Sequence, residues 1–148
     1  MAPSPWHHRA MSEQSEVITP TESNSVWAER TGTRQYLGHN ARGAQVRVGT
    51  GPGEFSPGEL IKLALGTCNT LSADHRLARA LGEDFEANVV VATLKNEDEE
   101  RYSAFDVQVV SDFAALTPEQ RDTLTARVEA AVERACTVGN LTDRKSVV

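Results

Sequence analysis

From Val26 onward the chain alternates apolar and polar residues in short runs, then changes to a helical spacing. "VWAER", "TRQYLGHN" and "AQVRVG" read as three strands, joined by turns containing Gly32 and Gly43. In the third run Val46 and Val48 alternate with Gln45 and Arg47, the pattern of a sheet with one wet face. "GPGEFSPGEL" follows as a loop that ends in a helix start. Ser56 stands at the N-cap, Pro57 suits the first helical position, and Glu59 falls where a capping box needs it. Leu60, Leu63, Ala64, Leu71, Ala78 and Leu81 supply an apolar stripe, and Gly82 ends the helix.

Two longer strands come next, "FEANVVVATL" and "YSAFDVQVV", separated by the charged turn "KNEDEER" of a solvated hairpin end. A second helix opens at "LTPEQ", with Thr117 as cap, Pro118 after it and Gln120 closing the box. Leu124, Val128, Ala131, Val132 and Ala135 carry that helix to Cys136. Strands, helix, strand pair, helix, with few connections long enough for parallel crossovers, predict an α+β fold built on antiparallel sheet. Residues 1–25 are rich in Ser, Pro, Thr, Glu and Gln and poor in large apolar side chains, the composition of a disordered tail. Residues 26–148 are then a single domain. His7 and His8 fall in the tail, where an adjacent pair is weak support for a metal site.

The chain's 148 residues suffice for one domain with a core and are too few for two of common size. A formal charge of −6 with no basic cluster argues against a nucleic-acid partner. No apolar run approaches a membrane span, and "MAPSPWHHRAMSEQ" lacks the apolar stretch of a secretory signal, so a cytoplasmic, reducing setting is expected, with no membrane partner. There the two cysteines, Cys68 and Cys136, form at most a transient, redox-active bridge. The alternative is a pair of buried thiols acting as small apolar side chains. There is no CxxC, which speaks against zinc, and neither a metal nor a cofactor is expected. His75 shares the helix face of Cys68 but lies two turns on, roughly 10 Å along the axis and too far for direct proton transfer. "GTGPG" lacks the Lys-Ser/Thr of a phosphate loop and reads as a turn.

Taken together, "SPGELIKLALGTC" at a helix start, a second helix opening "LTPEQ" and "CTVGNL" at its end resemble the OsmC/Ohr family of thiol-dependent peroxidases, over roughly residues 26–143. The resemblance implies an intertwined homodimer, with antiparallel sheet shared between the chains, long helices packed on it, and active sites at the interface. It implies reduction of organic hydroperoxides, with Cys68 as the peroxidatic thiol, Cys136 as the resolving thiol, and a dithiol as reductant. It also assigns to Arg42, in "GHNARGAQV", the guanidinium that holds thiolate and peroxide; the plain alternative is a solvent-facing turn arginine. Two positions depart from the family pattern. The Glu that follows the motif's Pro is Gly58 here, and Glu59, the nearest acid, lies on the opposite side of the helix from Cys68, where it suits the cap. The family's "CP" is "CT", with Thr137. A non-redox dimeric module that binds a small hydrophobic ligand in the interface pocket is the other functional reading.

Overall fold

The computed structural model describes residues 25–96, 101–138 and 145–146. The expected tail, with His7 and His8, and the tip of the acidic hairpin at 97–100 lie outside the described residues. The chain divides into two compact units, one ending at Phe55 and the other beginning at Ser56.

The first unit is an antiparallel meander of β1 (Val26–Gly32), β2 (Gln35–Asn40) and β3 (Gln45–Val48), in the order β1-β2-β3. Trp27 and His39 are cross-strand partners whose rings stack with centroids 5.4 Å apart. Val46 and Val48 are half-buried while Gln45 and Arg47 are exposed, as the alternation predicts. The first turn differs from the expectation. Gly32 is the last residue of β1, and it is Arg34 that takes the left-handed backbone, at φ 58°. At the second turn Asn40 Oδ1 accepts the N–H groups of Arg42 and Ala44, at 2.9 and 3.0 Å, and Gly43 supplies the positive φ. The segment after β3 is a turn, as read from the sequence, held by the Gly51 N–H on Glu54 Oε2 at 2.8 Å.

The second unit contains α1 (Pro57–Leu81), the antiparallel hairpin β4 (Ala87–Asn96) and β5 (Arg101–Ser111), α2 (Pro118–Ala135), and the two-residue β6 (Lys145–Ser146), which runs parallel to β5. Both helices begin as their capping residues dictate. The Glu59 N–H donates to Ser56 Oγ and the Ser56 N–H to Glu59 Oε2; Thr117 and Gln120 repeat the arrangement on α2. Gly82, at φ 106°, closes α1 with its N–H on the Ala78 carbonyl oxygen.

The buried face of α1 matches the predicted stripe only in part: Ala78 is buried, Leu81 packs against the core and Leu60 is half-buried. Leu65, Asn69, Ala73 and Leu77, one i+4 row, are buried, together with Gly66 and Ala78. Leu63 and Ala64 are exposed, and Leu71 is 74% exposed. The difference arises because α1 carries leucines on two faces, Leu65 and Leu77 inward and Leu63 and Leu71 outward, so helical spacing alone does not choose between them. On α2 the reading holds for Leu124, Val128, Ala131 and Val132, which are buried, while Ala135 is exposed.

Two clusters make the core of this unit. Leu65, Phe105 and Val107 join α1 to the hairpin; Ala73, Leu77, Leu124, Val128, Val132 and Cys136 join α1 to α2. Full burial of Leu65 and Leu77 is worth roughly 1.5–3 kcal/mol each. Gly66 sets how closely α1 lies on the hairpin, because a Cβ there would stand 2.6 Å from Val91 Cγ2 and 2.8 Å from Val89 Cγ1. Against that stop, α1 presents its middle turns, including Cys68, to the end of α2.

Candidate active site

Cys68 sits in the middle of α1, half-buried, while Cys136 is fully buried at the C-cap of α2. The two are far apart in sequence, and the packing of the helices brings their side chains within hydrogen-bonding reach. Both are free thiols. The C-cap geometry matters here. Cys136 leaves the helix with an extended backbone, φ −80° and ψ 96°, after its N–H has donated to the Val132 carbonyl oxygen at 3.0 Å. The next two backbone N–H groups, of Thr137 and Val138, are thereby released from the helix and hydrogen-bond to Cys68.

Two backbone N–H groups and two polar side chains therefore act on the Cys68 sulfur. Burial pushes its thiol pKa up, but the Cys136 side chain, the N–H groups of Val138 and Thr137, and the Ser72 hydroxyl together outweigh that penalty and hold it below the ordinary thiol value. Ser72 is kept beside the sulfur by its own back-bond, Oγ to the Cys68 carbonyl oxygen at 2.8 Å. Cys136 has a second polar neighbour. Its thiol donates to Asn69 Oδ1 at 3.2 Å, and Asn69 is 4% exposed, a buried polar side chain within an otherwise apolar i+4 row.

Of the remaining residues singled out from the sequence, Glu59 and His75 belong to the second unit and Arg42 to the first. Glu59 is bound into the α1 cap, nine residues and so roughly 13 Å along the helix axis from Cys68. Its carboxylate serves the helix start. Arg42 lies in the exposed Asn40–Gly43 turn of the first unit, its backbone N–H on Asn40 Oδ1. His75 is exposed and lines a groove of about 780 Å³ between α1 and α2, whose lining includes neither cysteine. Sequence reasoning missed Asn69, Ser72 and the two N–H groups after Cys136. Asn69 and Ser72 carried a readable signal, since Asn69 continues the Leu65 row by i+4 and Ser72 is one turn beyond Cys68. The backbone donors carried none, because they depend on how α2 ends.

No protein-family profile matches the chain. It is 45% identical over 116 residues to an uncharacterized protein of Mycobacterium tuberculosis strain H37Rv and, at the same identity, to one of Mycobacterium bovis. Each match covers 77% of this chain and 85% of the relative. The chain belongs to the family of these mycobacterial proteins. Among solved structures, it matches an OsmC-like protein of Vibrio cholerae with a TM-score of 0.55, at 15% identity over 85% of this chain and 99% of that one. The OsmC organic hydroperoxide resistance protein of Legionella pneumophila matches with a TM-score of 0.52, at 16% identity over 86% and 97% of the two chains. The chain has the OsmC/Ohr fold. A hypothetical protein of Aquifex aeolicus superposes better still, at TM-score 0.67 with 18% identity over 84% and 93% of the two chains. Within the OsmC/Ohr fold of this chain, the hairpin β4–β5 backs α1 and the end of α2 meets its middle, which is what places the thiols together. Among the described residues no helix is long and apolar enough to cross a membrane.

Proposed function

We propose that the protein is a thiol-dependent peroxidase that reduces organic hydroperoxides, with Cys68 as the peroxidatic and Cys136 as the resolving thiol. The observation that carries this reading is the pairing itself: two free thiols packed together, one of them held below its ordinary pKa by its hydrogen-bonding surroundings. A purely packing role for both cysteines gives no reason to gather donors around one sulfur. The Cys68 thiolate attacks the distal oxygen of the hydroperoxide; the O–O bond breaks, and the alkoxide takes a proton from water and leaves as alcohol. Cys68 is left as a sulfenic acid. The Cys136 sulfur then attacks the Cys68 sulfur, the S–O bond breaks, and hydroxide leaves with the Cys136 proton as water. A dithiol reductant restores both thiols by exchange. The Legionella structural relative, named for organic hydroperoxide resistance, agrees with this substrate class. Arg42 keeps the peroxide-holding role that the family resemblance assigns to it, and Glu59 keeps the helix cap.

The active form in this reading is a homodimer. Supporting it, the outer face of α1 is apolar. Leu63 and Leu71 are 48% and 74% exposed, and Thr67 between them has its hydroxyl bonded back onto the Leu63 carbonyl oxygen at 2.7 Å.

The test is the pH dependence of single-turnover oxidation by an organic hydroperoxide. The thiolate fraction rises with pH through the Cys68 pKa, so a lowered pKa moves the midpoint of the rate profile below that of an ordinary cysteine. Cys136→Ala removes one lowering donor and is expected to move the midpoint up. A wild-type midpoint at or above that of a free thiol, or no reaction with hydroperoxide at any pH, contradicts the proposal.

A further inference from the structure

Asn69 has no part in the chemistry described above, yet it is the buried polar residue of the α1–α2 contact. Its row neighbours are Leu65, Ala73 and Leu77, all buried and apolar. A side-chain amide at such a position is destabilising unless its polar atoms are bonded. Its carbonyl oxygen is bonded to the Cys136 thiol at 3.2 Å. Cys136 belongs to the apolar cluster of Ala73, Leu77, Leu124, Val128 and Val132, with Cys68 packed against it.

The Cys136 thiol carries one proton and has two acceptors on its α1 side, the Cys68 sulfur and Asn69 Oδ1. These differ in kind. The sulfur ionises, whereas the amide oxygen is a neutral acceptor at every pH. An acceptor that engages the S–H favours the protonated form of that thiol. It also fixes the rotamer, since a buried thiol with an oxygen at hydrogen-bond distance has one orientation that satisfies both groups.

We infer that Asn69 is a positioning residue for the resolving step: in the reduced protein its side-chain oxygen accepts the Cys136 S–H and so fixes that side chain with its sulfur beside Cys68, ready to capture the sulfenic acid. The inference rests on the peroxidase reading for the name of that step. In the reduced protein the single negative charge then lies on Cys68, where the backbone donors are. Once Cys68 is a sulfenic acid, the proton held on Cys136 is the one that departs with hydroxide as water when the S–S bond forms. No further oxidant or proton source enters. Without the Asn69 oxygen the Cys136 side chain loses that anchor, and the sulfenic acid persists longer before it is captured.

The experiment uses Asn69→Leu, which keeps the approximate shape and removes the acceptor, and Asn69→Asp, which keeps an oxygen at the same place. Each protein is oxidised with equimolar organic hydroperoxide in the presence of a sulfenic-acid trap, and the trapped product is weighed against the disulfide by intact mass. For Asn69→Leu, sulfenic acid formation is expected within about twofold of wild type and disulfide closure roughly 10- to 100-fold slower, so that trapped product dominates. Asn69→Asp is expected to restore closure while shifting the pH midpoint of Cys68 oxidation upward, because the added carboxylate is a like charge near the thiolate. A purely structural role would not divide the two steps in this way. Should Asn69→Leu fail to fold, Asn69→Ser, whose shorter side chain does not reach Cys136, carries the same expectation. Closure as fast as wild type in a folded Asn69→Leu or Asn69→Ser overturns the inference. Closure driven by diamide is measured in parallel. If wild type reacts with diamide and not with hydroperoxide, the peroxidase reading fails, and the Asn69 variants are still judged by their diamide closure rates.

Discussion

Cys68→Ser is expected to abolish hydroperoxide consumption, while Cys136→Ser keeps the first turnover and stops there with a stable sulfenic acid. The asymmetry follows from the donors. The N–H groups of Thr137 and Val138 and the neighbouring side chains hold the Cys68 thiol below its ordinary pKa, so the thiolate forms there. Cys136 is fully buried and donates its own proton to Asn69. A serine hydroxyl at position 68 stays protonated at working pH, and loss of the nucleophile of a concerted unit lowers the rate by roughly three orders of magnitude or more. At position 136 the loss falls on the second step only. Rapid-quench kinetics with one equivalent of organic hydroperoxide distinguish the two: a burst of one alcohol per chain from Cys136→Ser and none from Cys68→Ser. The opposite pattern reverses the two roles.

Leu71→Asp is expected to break the assembly. Leu71 is the most exposed large apolar side chain of α1, and Leu63 and Thr67 continue the same face. A helix apolar on two faces is stable when both are covered, one by the hairpin and α2, the other by a second copy of the chain in the proposed dimer. A carboxylate placed in that contact must be desolvated without a partner, a penalty of several kcal/mol, equivalent to a loss of more than about 100-fold in association. Sedimentation velocity at micromolar concentration is expected to show wild type as a dimer and Leu71→Asp as a monomer or an unfolded chain. A folded wild-type monomer, or a Leu71→Asp dimer as tight as wild type, contradicts this arrangement.

Much of the fold was legible because its signals are local. Ser56 with Glu59, and Thr117 with Gln120, are capping boxes within four residues, and both helices start where those residues require. The Val46 and Val48 alternation marked a strand for the same reason. What was misread depends on partners distant in the chain. Helical spacing of apolar residues puts Leu63, Ala64 and Leu71 in the α1 stripe, and these three are exposed. The buried row instead runs through Asn69, Ala73 and Leu77, since small side chains let α1 approach α2, and Gly66 lets it approach the hairpin. Gly32 was placed in a turn on propensity, but Asn40 and Arg34 show that side-chain bonding and a non-glycine left-handed residue also make turns here. The thiol pair was visible only through the family resemblance, since nothing in the spacing of Cys68 and Cys136 says that two helices cross there. The i+4 step from Leu65 puts Asn69 on the buried row, but its hydrogen bond with Cys136 lay out of reach, because nothing local says that the end of α2 meets that row.

The most direct test of the thiol-pair account is to treat the reduced wild-type protein with one equivalent of an organic hydroperoxide and measure its free thiols and intact mass. The account predicts that both thiols are lost per chain while the mass falls by about two hydrogens, the signature of a disulfide between Cys68 and Cys136. Two thiols still titrating at unchanged mass would contradict it, and would leave Cys68 and Cys136 as packing residues of the helix pair.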